Sequence, residues 1–241
     1  MKKILLPLFL ICSIAAFGQD STKVHFKRFY VGISFSPEYN YRVLNKNDSG
    51  ISDSLWSVVK NMEDSIFEPK FGYTGGIIFG YYVTNRISIE SGVQYSNKGY
   101  KTIPIETFYD WDEPSIVATN IINYYYLDIP LKVNYEFFKK RFQLITSLGA
   151  VGNIFIKSTV KTIAENPTEL FSEEKRDNDY EYNKFNISAS IGIGVKYNMS
   201  ERMQLRLEPV FKYALLNFDD EAYISTHLWN AGLQFSAICK L

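Results

Sequence analysis

The fifteen residues from His227 to Leu241 alternate almost without a break. Odd positions carry Trp229, Ala231, Leu233, Phe235, Ala237, Cys239 and Leu241. Even positions carry Asn230, Gly232, Gln234, Ser236 and Lys240, with Leu228 and Ile238 the apolar exceptions. Successive side chains on a strand point to opposite faces, so this segment reads as one long strand with an apolar and a polar face. Seven further segments repeat the pattern: Phe29 to Tyr41, Phe71 to Thr84, Arg86 to Tyr100, Tyr124 to Phe137, Phe142 to about Phe155, Phe185 to Tyr197 and Arg202 to Leu215. The one starting at Phe142 alternates least cleanly, with Ile145 and Val151 on the face of Gln143 and Ser147.

An even strand number closes a barrel with both termini on one side. Short turns around Asn85, Lys139-Lys140 and Asn198 to Glu201 alternate with long connections at roughly 45–70, 104–120, 162–182 and a shorter 219–226. Short turns on one side and long loops on the other are the habit of outer-membrane barrels. A soluble lipocalin-type barrel also alternates, but keeps its apolar face inward. Glycine separates the two. Nine of the 14 glycines (Gly32, Gly72, Gly76, Gly80, Gly92, Gly149, Gly192, Gly194, Gly232) lie on the polar face. Glycine weakens a strand and gains nothing on a solvated surface, but it relieves crowding at the axis of a narrow barrel. The polar face is therefore assigned to the interior and the apolar face to lipid.

Composition agrees. The 26 basic and 26 acidic residues cancel, which leaves no basic footprint for nucleic acid. Aromatics reach 16 %, with 18 Tyr and 18 Phe, as interfacial girdles require. No apolar run beyond the N-terminus is long enough for a transmembrane helix. Lys2 and Lys3, the apolar stretch Ile4 to Phe17 and the small-residue spacing of Ala16-Phe17-Gly18 predict a signal peptide over 1–18, cut before Gln19. A lipoprotein would need Cys12 just after small residues, whereas it follows Leu10-Ile11. Cleavage leaves Cys239 alone, a small apolar residue with no disulfide partner. The expected organisation is a signal peptide (1–18), an N-terminal periplasmic segment (19–28) and a barrel domain (29–241).

The interior so assigned carries Glu38, Glu90, Asp128, Glu136 and Glu208 against Lys98, Lys132, Lys196, Arg206 and Lys212. Five acids facing five bases suit a packed, self-neutralising plug, because an unpaired buried charge is costly. Arg206 and Glu208 are expected within reach of Lys196. A proton or ion relay is the functional alternative. An eight-stranded barrel is only just wide enough for its own side chains, which argues against a diffusive pore.

No phosphate loop, metal-ligand spacing or nucleophile elbow is present, so no catalytic, cofactor or metal residues are assigned. His25 and His227 stand alone. His227, beside Ser225 and Thr226 on the lipid-facing parity near the outer rim, is where a lipid-modifying barrel would hold an acid–base group. A solitary rim histidine is more commonly interfacial. The long connections are acidic: Asp48, Asp53, Glu63, Asp64 and Glu68; Glu106, Asp110, Asp112 and Glu113; Glu165, Glu169, Glu173, Glu174, Asp177, Asp179 and Glu181 against Lys175 and Arg176; then Asp219-Asp220-Glu221. The short turns are basic, with Arg86, Lys139, Lys140, Arg141 and Arg202. The acidic pole is either a solvated exterior or a place for divalent cations bridging to lipopolysaccharide. Ser52 to Phe67 reads as a short amphipathic helix, with Leu55, Val59, Met62 and Ile66 at helical spacing and Ser52 or Asp53 as cap. It is expected as a lid on the barrel mouth, with an exposed partner site as the alternative.

The fourth strand, Tyr126-Leu127-Asp128-Ile129-Pro130-Leu131-Lys132-Val133-Asn134-Tyr135, closely resembles a segment of the Bacteroidetes outer-membrane β-barrel family known as porin-family or PorT-like. Gly72-Tyr73-Thr74-Gly75-Gly76 and Ser91-Gly92-Val93-Gln94-Tyr95-Ser96-Asn97-Lys98-Gly99-Tyr100 resemble the same family. The resemblance spans essentially the whole mature chain. It implies an all-β fold: an eight-stranded antiparallel up-and-down transmembrane β-barrel, OmpA/OmpX-like in size, in a bacterial outer membrane. Asn230-x-Gly232-x-x-Phe235-x-Ala237 is similar to the C-terminal signal read by the barrel-assembly machinery, although Leu241 stands where many relatives end in an aromatic.

The expected role is non-enzymatic, structural or surface-interacting, with a polar plugged interior. Outer-membrane lipid, lipopolysaccharide and the assembly machinery are the expected partners, with divalent cations at the acidic loops, no nucleic acid, no cofactor and a monomeric state. A narrow channel, a part in type IX secretion, and a lipid-modifying enzyme are the alternatives.

Overall fold

The computed structural model describes residues 28–47, 52–107, 116–138, 141–165, 172–177, 183–217 and 224–241. The expected signal peptide (1–18), almost all of the segment 19–28, His25 and the acidic run 219–221 lie outside them. The elements are β1 (Phe29–Lys46), α1 (Asp53–Ile66), β2 (Phe67–Tyr82), β3 (Ile87–Thr102), β4 (Ile105–Thr107), β5 (Ile116–Glu136), β6 (Phe142–Glu165), β7 (Ser172–Asp177), β8 (Phe185–Asn198), β9 (Met203–Ala214) and β10 (Ile224–Lys240).

Eight long strands pair antiparallel in the order β1-β2-β3-β5-β6-β8-β9-β10, and β10 returns to β1, so the wall is closed. They correspond to the eight expected strands, with β1, β5, β6 and β10 running longer at the loop end. The N–H of Leu241 donates to the carbonyl of Phe29 at 2.9 Å, which ties the chain end to the start of β1. Each alternating face goes where its chemistry requires. Leu131 is 61 % and Ile193 57 % exposed on the outer face, while their neighbours Lys132 and Gly192 are buried. A continuous apolar surface over every strand is far larger than a protein in water presents, and hydrocarbon is the medium that accepts it.

Two short strands were not expected. β4 adds to β5 at Ala118↔Ile105, and β7 adds to β6 at Lys161↔Lys175. Both attach where the wall strands β3 and β8 have stopped, beyond Ile121 and Ile154 respectively. β5 and β6 thus continue past the closed barrel as a four-stranded sheet, β4-β5-β6-β7, on the long-loop side. The connections expected at 104–120 and 162–182 are therefore partly strand.

Three prolines interrupt three different ladders. Register pairs are missing beside Pro37 between β1 and β10, beside Pro130 between β3 and β5, and beside Pro209 between β8 and β9. Proline has no N–H to donate, so each removes one rung. A fourth irregularity is the shift between Pro69 and Tyr73 in the β2–β3 pairing, beside a β1–β2 register that runs unbroken through Lys70 to Tyr73.

The interior is tight enough to explain the glycines. A Cβ on Gly80 would stand 2.2 Å from Cζ of Tyr30, whose ring lies across that position. At Gly192 it would stand 2.3 Å from a carboxylate oxygen of Glu208.

Candidate functional site

The barrel interior is where this chain concentrates its chemistry. All ten charged residues assigned inward from the sequence are buried, and Glu38, Glu90, Asp128 and Glu208 each keep no more than 2 % exposure. They form tiers along the axis. Nearest the short turns, the Lys196 ammonium pairs with Glu136, and the Tyr82 hydroxyl donates to the same carboxylate at 2.9 Å.

The next tier is the strongest. Arg206 donates through Nη1 and Nη2 to the two oxygens of Glu90, each at 2.8 Å, a bidentate fork. Its Nε also lies 3.5 Å from Glu208, and Glu208 accepts from the Ser147 hydroxyl. The Tyr30 hydroxyl completes the Glu90 shell at 2.9 Å. Lys132 stands opposite Glu90 in register and donates to Gln234 at 3.3 Å.

Toward the loops, Lys212 meets Glu38 at 2.7 Å, and Thr74 and Asn230 donate to the same carboxylate. Lys98 meets Asp128 at 3.2 Å, and Asn153 donates to Asp128 at 2.7 Å. Small apolar clusters bracket the charges: Tyr30, Ile78, Tyr82 and Ile238 at the turn end, and Tyr124, Tyr126, Ala214 and Leu228 at the loop end. Of the two exceptions in the alternation, Ile238 belongs to the first of these and Leu228 to the second.

One expected pairing is corrected. Lys196 and Arg206 are direct register partners, so two cations sit side by side and each reaches across the lumen to its own acid. Lys196 pairs with Glu136 rather than Glu208. Two interior cations also escaped sequence reading. Arg42 and Lys70 are 8 % and 5 % exposed at the mouth. Arg42 pairs with Glu63 of α1 at 2.5 Å, its guanidinium 4.1 Å from the Phe67 ring and 4.7 Å from the Tyr100 ring. Lys70 donates to the side-chain oxygens of Asn97 and Asn123, each at 2.6 Å.

Helix α1 starts at its expected cap, with the Ser52 hydroxyl accepting from the N–H of Leu55 at 3.3 Å. None of its residues is buried, so it is not a packed lid. Trp56, Val59, Glu63 and Ile66 are half-buried, while Leu55, Val58 and Met62 remain more than half exposed. Three acids counted with the acidic exterior are engaged instead: Asp53 with Lys46 at 2.6 Å, Glu63 with Arg42, and Glu68 with Lys101 at 3.1 Å. Lys46 holds the Asp53 carboxyl below its ordinary pKa. Among the described residues no group of acidic, His or Cys side chains has the makings of a metal site. His227 lies flat against the Tyr213 ring at 5.7 Å, with Nδ1 3.0 Å from the carbonyl of Ala214.

The outer face carries two aromatic belts. Toward the turns, Phe29–Tyr81, Tyr135–Phe137 and Phe142–Tyr197 pack with centroids 4.9, 5.0 and 4.7 Å apart. Toward the loops, Tyr39–Phe71, Phe211–Trp229, Tyr73–Tyr95 and Tyr95–Tyr125 lie at 5.4, 5.9, 6.5 and 5.8 Å. On β1 the belts are Phe29 and Tyr39, a separation of about 10 residues, the length a tilted strand needs to cross a membrane.

A closed antiparallel barrel with a charged, packed interior, an apolar outer face and two aromatic girdles is an integral outer-membrane β-barrel. The chain belongs to the family described as outer membrane protein beta-barrel domain, whose family model matches residues 17–220, and the protein resides in the outer membrane. No curated protein matches the sequence. Solved structures similar to this chain include Neisserial surface protein A (14 % identity, covering 88 % of this chain and 97 % of that one, TM-score 0.43). OprG of Pseudomonas aeruginosa is similar at 9 % identity, 88 % and 95 % coverage and TM-score 0.46. Outer membrane protein W of E. coli is similar at 14 % identity, 91 % and 100 % coverage and TM-score 0.40.

Proposed function

We propose that this protein is a non-enzymatic, monomeric barrel that presents a surface outside the cell and does not conduct through its lumen. The observation that carries this is the Glu90–Arg206–Glu208 tier: a buried guanidinium forked onto Glu90 across the lumen, with the Glu208 carboxylate 3.5 Å from its Nε. Opening a path there would part the buried carboxylates from their guanidinium, a cost of several kcal/mol. Reconstituted protein in a planar bilayer should show no stable single-channel steps. Discrete, reproducible steps from a monomer would overturn the plug and favour the narrow-channel alternative.

Among the described residues, the long-loop end carries the β4-β5-β6-β7 sheet and α1, whose Leu55, Val58 and Met62 are uncovered. That sheet and helix, rather than the lumen, are the natural points of contact with lipopolysaccharide or a partner protein. Divalent cations at the remaining loop acids would assist contact with lipopolysaccharide phosphates. The match to the Tyr126–Tyr135 and Ser91–Tyr100 segments supports a place among the Bacteroidetes porin-family or PorT-like proteins, assembled by the barrel-assembly machinery. A part in type IX secretion follows from that kinship alone. A lipid-modifying role would rest on His227, which contacts a tyrosine ring and a carbonyl oxygen. Unchanged lipid A masses in cells with and without the protein are the expected result.

A further inference from the structure

The short-turn rim repeats one residue in one position. Four of the chain's seven arginines, Arg28, Arg86, Arg141 and Arg202, each stand immediately before an ascending strand: β1, β3, β6 and β9. Each makes the same backbone contact. Its carbonyl accepts from an N–H at the end of the neighbouring descending strand: Tyr82 to Arg28 at 2.7 Å, Glu136 to Arg86 at 2.8 Å, Asn198 to Arg141 at 2.9 Å and Lys240 to Arg202 at 2.8 Å. The four are thus equivalent, one per ascending strand, and they encircle the periplasmic mouth. Glu201 is the acid beside them in the described turns.

The inward parity of these positions does not decide where the guanidinium groups go. Two of them turn outward onto the lipid-side girdle. Arg28 Nη1 donates to the Tyr81 hydroxyl at 3.0 Å, and the Arg141 guanidinium lies over the Tyr197 ring at 5.2 Å. Tyr81 and Tyr197 each pack on a lipid-facing phenylalanine, Phe29 and Phe142. Arg28, Arg86 and Arg141 are exposed. A planar guanidinium held just outside an aromatic girdle is placed at headgroup depth, where it can form a fork with two oxygens of one phosphate.

We propose that this arginine ring binds the phosphate groups of phospholipids in the periplasmic leaflet, one clasp per ascending strand, and so fixes the depth and tilt of the barrel. It extends the lipid-facing belt already described, so its failure would leave the outer-membrane assignment untouched.

Native mass spectrometry of the folded barrel, released from phosphatidylglycerol-containing detergent micelles, reads the retained lipid directly. The variant carrying Arg28→Gln, Arg86→Gln, Arg141→Gln and Arg202→Gln should retain at least about fivefold less phosphatidylglycerol than the unaltered chain. A control with Lys60→Gln, Lys101→Gln, Lys157→Gln and Lys184→Gln removes the same charge from the opposite end and should retain it normally. Heat-modifiable gel migration reports whether each variant is folded. If the fourfold variant does not fold, Arg86→Gln with Arg202→Gln removes two clasps and should lose about half of the bound lipid. Unchanged retention, or equal loss in variant and control, would overturn the proposal.

Discussion

The membrane-embedded lumen and the mouth above it solve the same problem differently. In the lumen, Arg206 has two carboxylates, Lys212 and Lys98 one each, and each of these acids also accepts from a polar neighbour. At the mouth, Lys70 has two amide oxygens and no carboxylate, and Arg42 shares one acid with two aromatic rings. Far from water a full opposite charge is the rule, with Lys132, held by the Gln234 amide oxygen, the exception. Where solvent is near, dipoles and π-faces suffice. The gradient of charge compensation therefore marks how deep in the barrel a residue sits.

The most severe way to break that gradient is Arg206→Ala, which leaves Glu90 and Glu208 facing each other without their cation. It should cost about 3–5 kcal/mol, read as a lowered urea midpoint in the folded-to-unfolded gel shift. An unchanged midpoint would mean that the lumen is wet. Gly80→Ala forces the Tyr30 ring off its seat and away from Glu90, and about 1–3 kcal/mol is expected from such overpacking. Arg42→Ala removes a cation held by one acid and two rings and should cost about 1–2 kcal/mol, with faster proteolysis within α1 as the local sign. Lys101→Ala breaks a half-exposed pair with Glu68 and should cost about 0–1 kcal/mol. The smallest effect concerns Asp53. Its carboxyl should titrate lower in the unaltered chain than in Lys46→Gln by carbon-detected NMR, because Lys46 favours the ionised form. The tether it forms holds at neutral pH and is lost as pH falls through that lowered value.

Much of this was legible in the chain. Period-two alternation located all eight wall strands, and glycine on the polar face set inside from outside, so ten of the lumenal charges were placed correctly. The helix and its Ser52 cap were equally clear. What escaped has physical causes. Pro69 reads as a strand breaker, which made Lys70 look like loop although it keeps the inward parity of β2. Residues 116–123 run above the membrane, where lipid on one side and a packed lumen on the other no longer enforce alternation. Which acid meets which base depends on strand stagger around the closed wall. The pairing of Lys196 with Glu136 was unreadable for that reason.

The seam between β1 and β10 has a consequence for the order in which the barrel forms. Its partners, from Tyr30↔Lys240 to Lys46↔Ile224, are the most distant in sequence that this wall joins, whereas pairs such as Ile77↔Val93 are neighbours across one turn. Chain-closure entropy delays the distant pairing, so hairpins should zip first and the seam last. Cysteines at positions 35 and 235 should accordingly cross-link later during refolding than cysteines at 77 and 93. Simultaneous appearance would refute that order. Until the seam closes, β1 and β10 offer bare edges to any other chain in the same state, and Pro37 leaves a missing rung in the middle of one of them. The residue that weakens the finished wall is the one that makes the unfinished wall a poor template for aggregation.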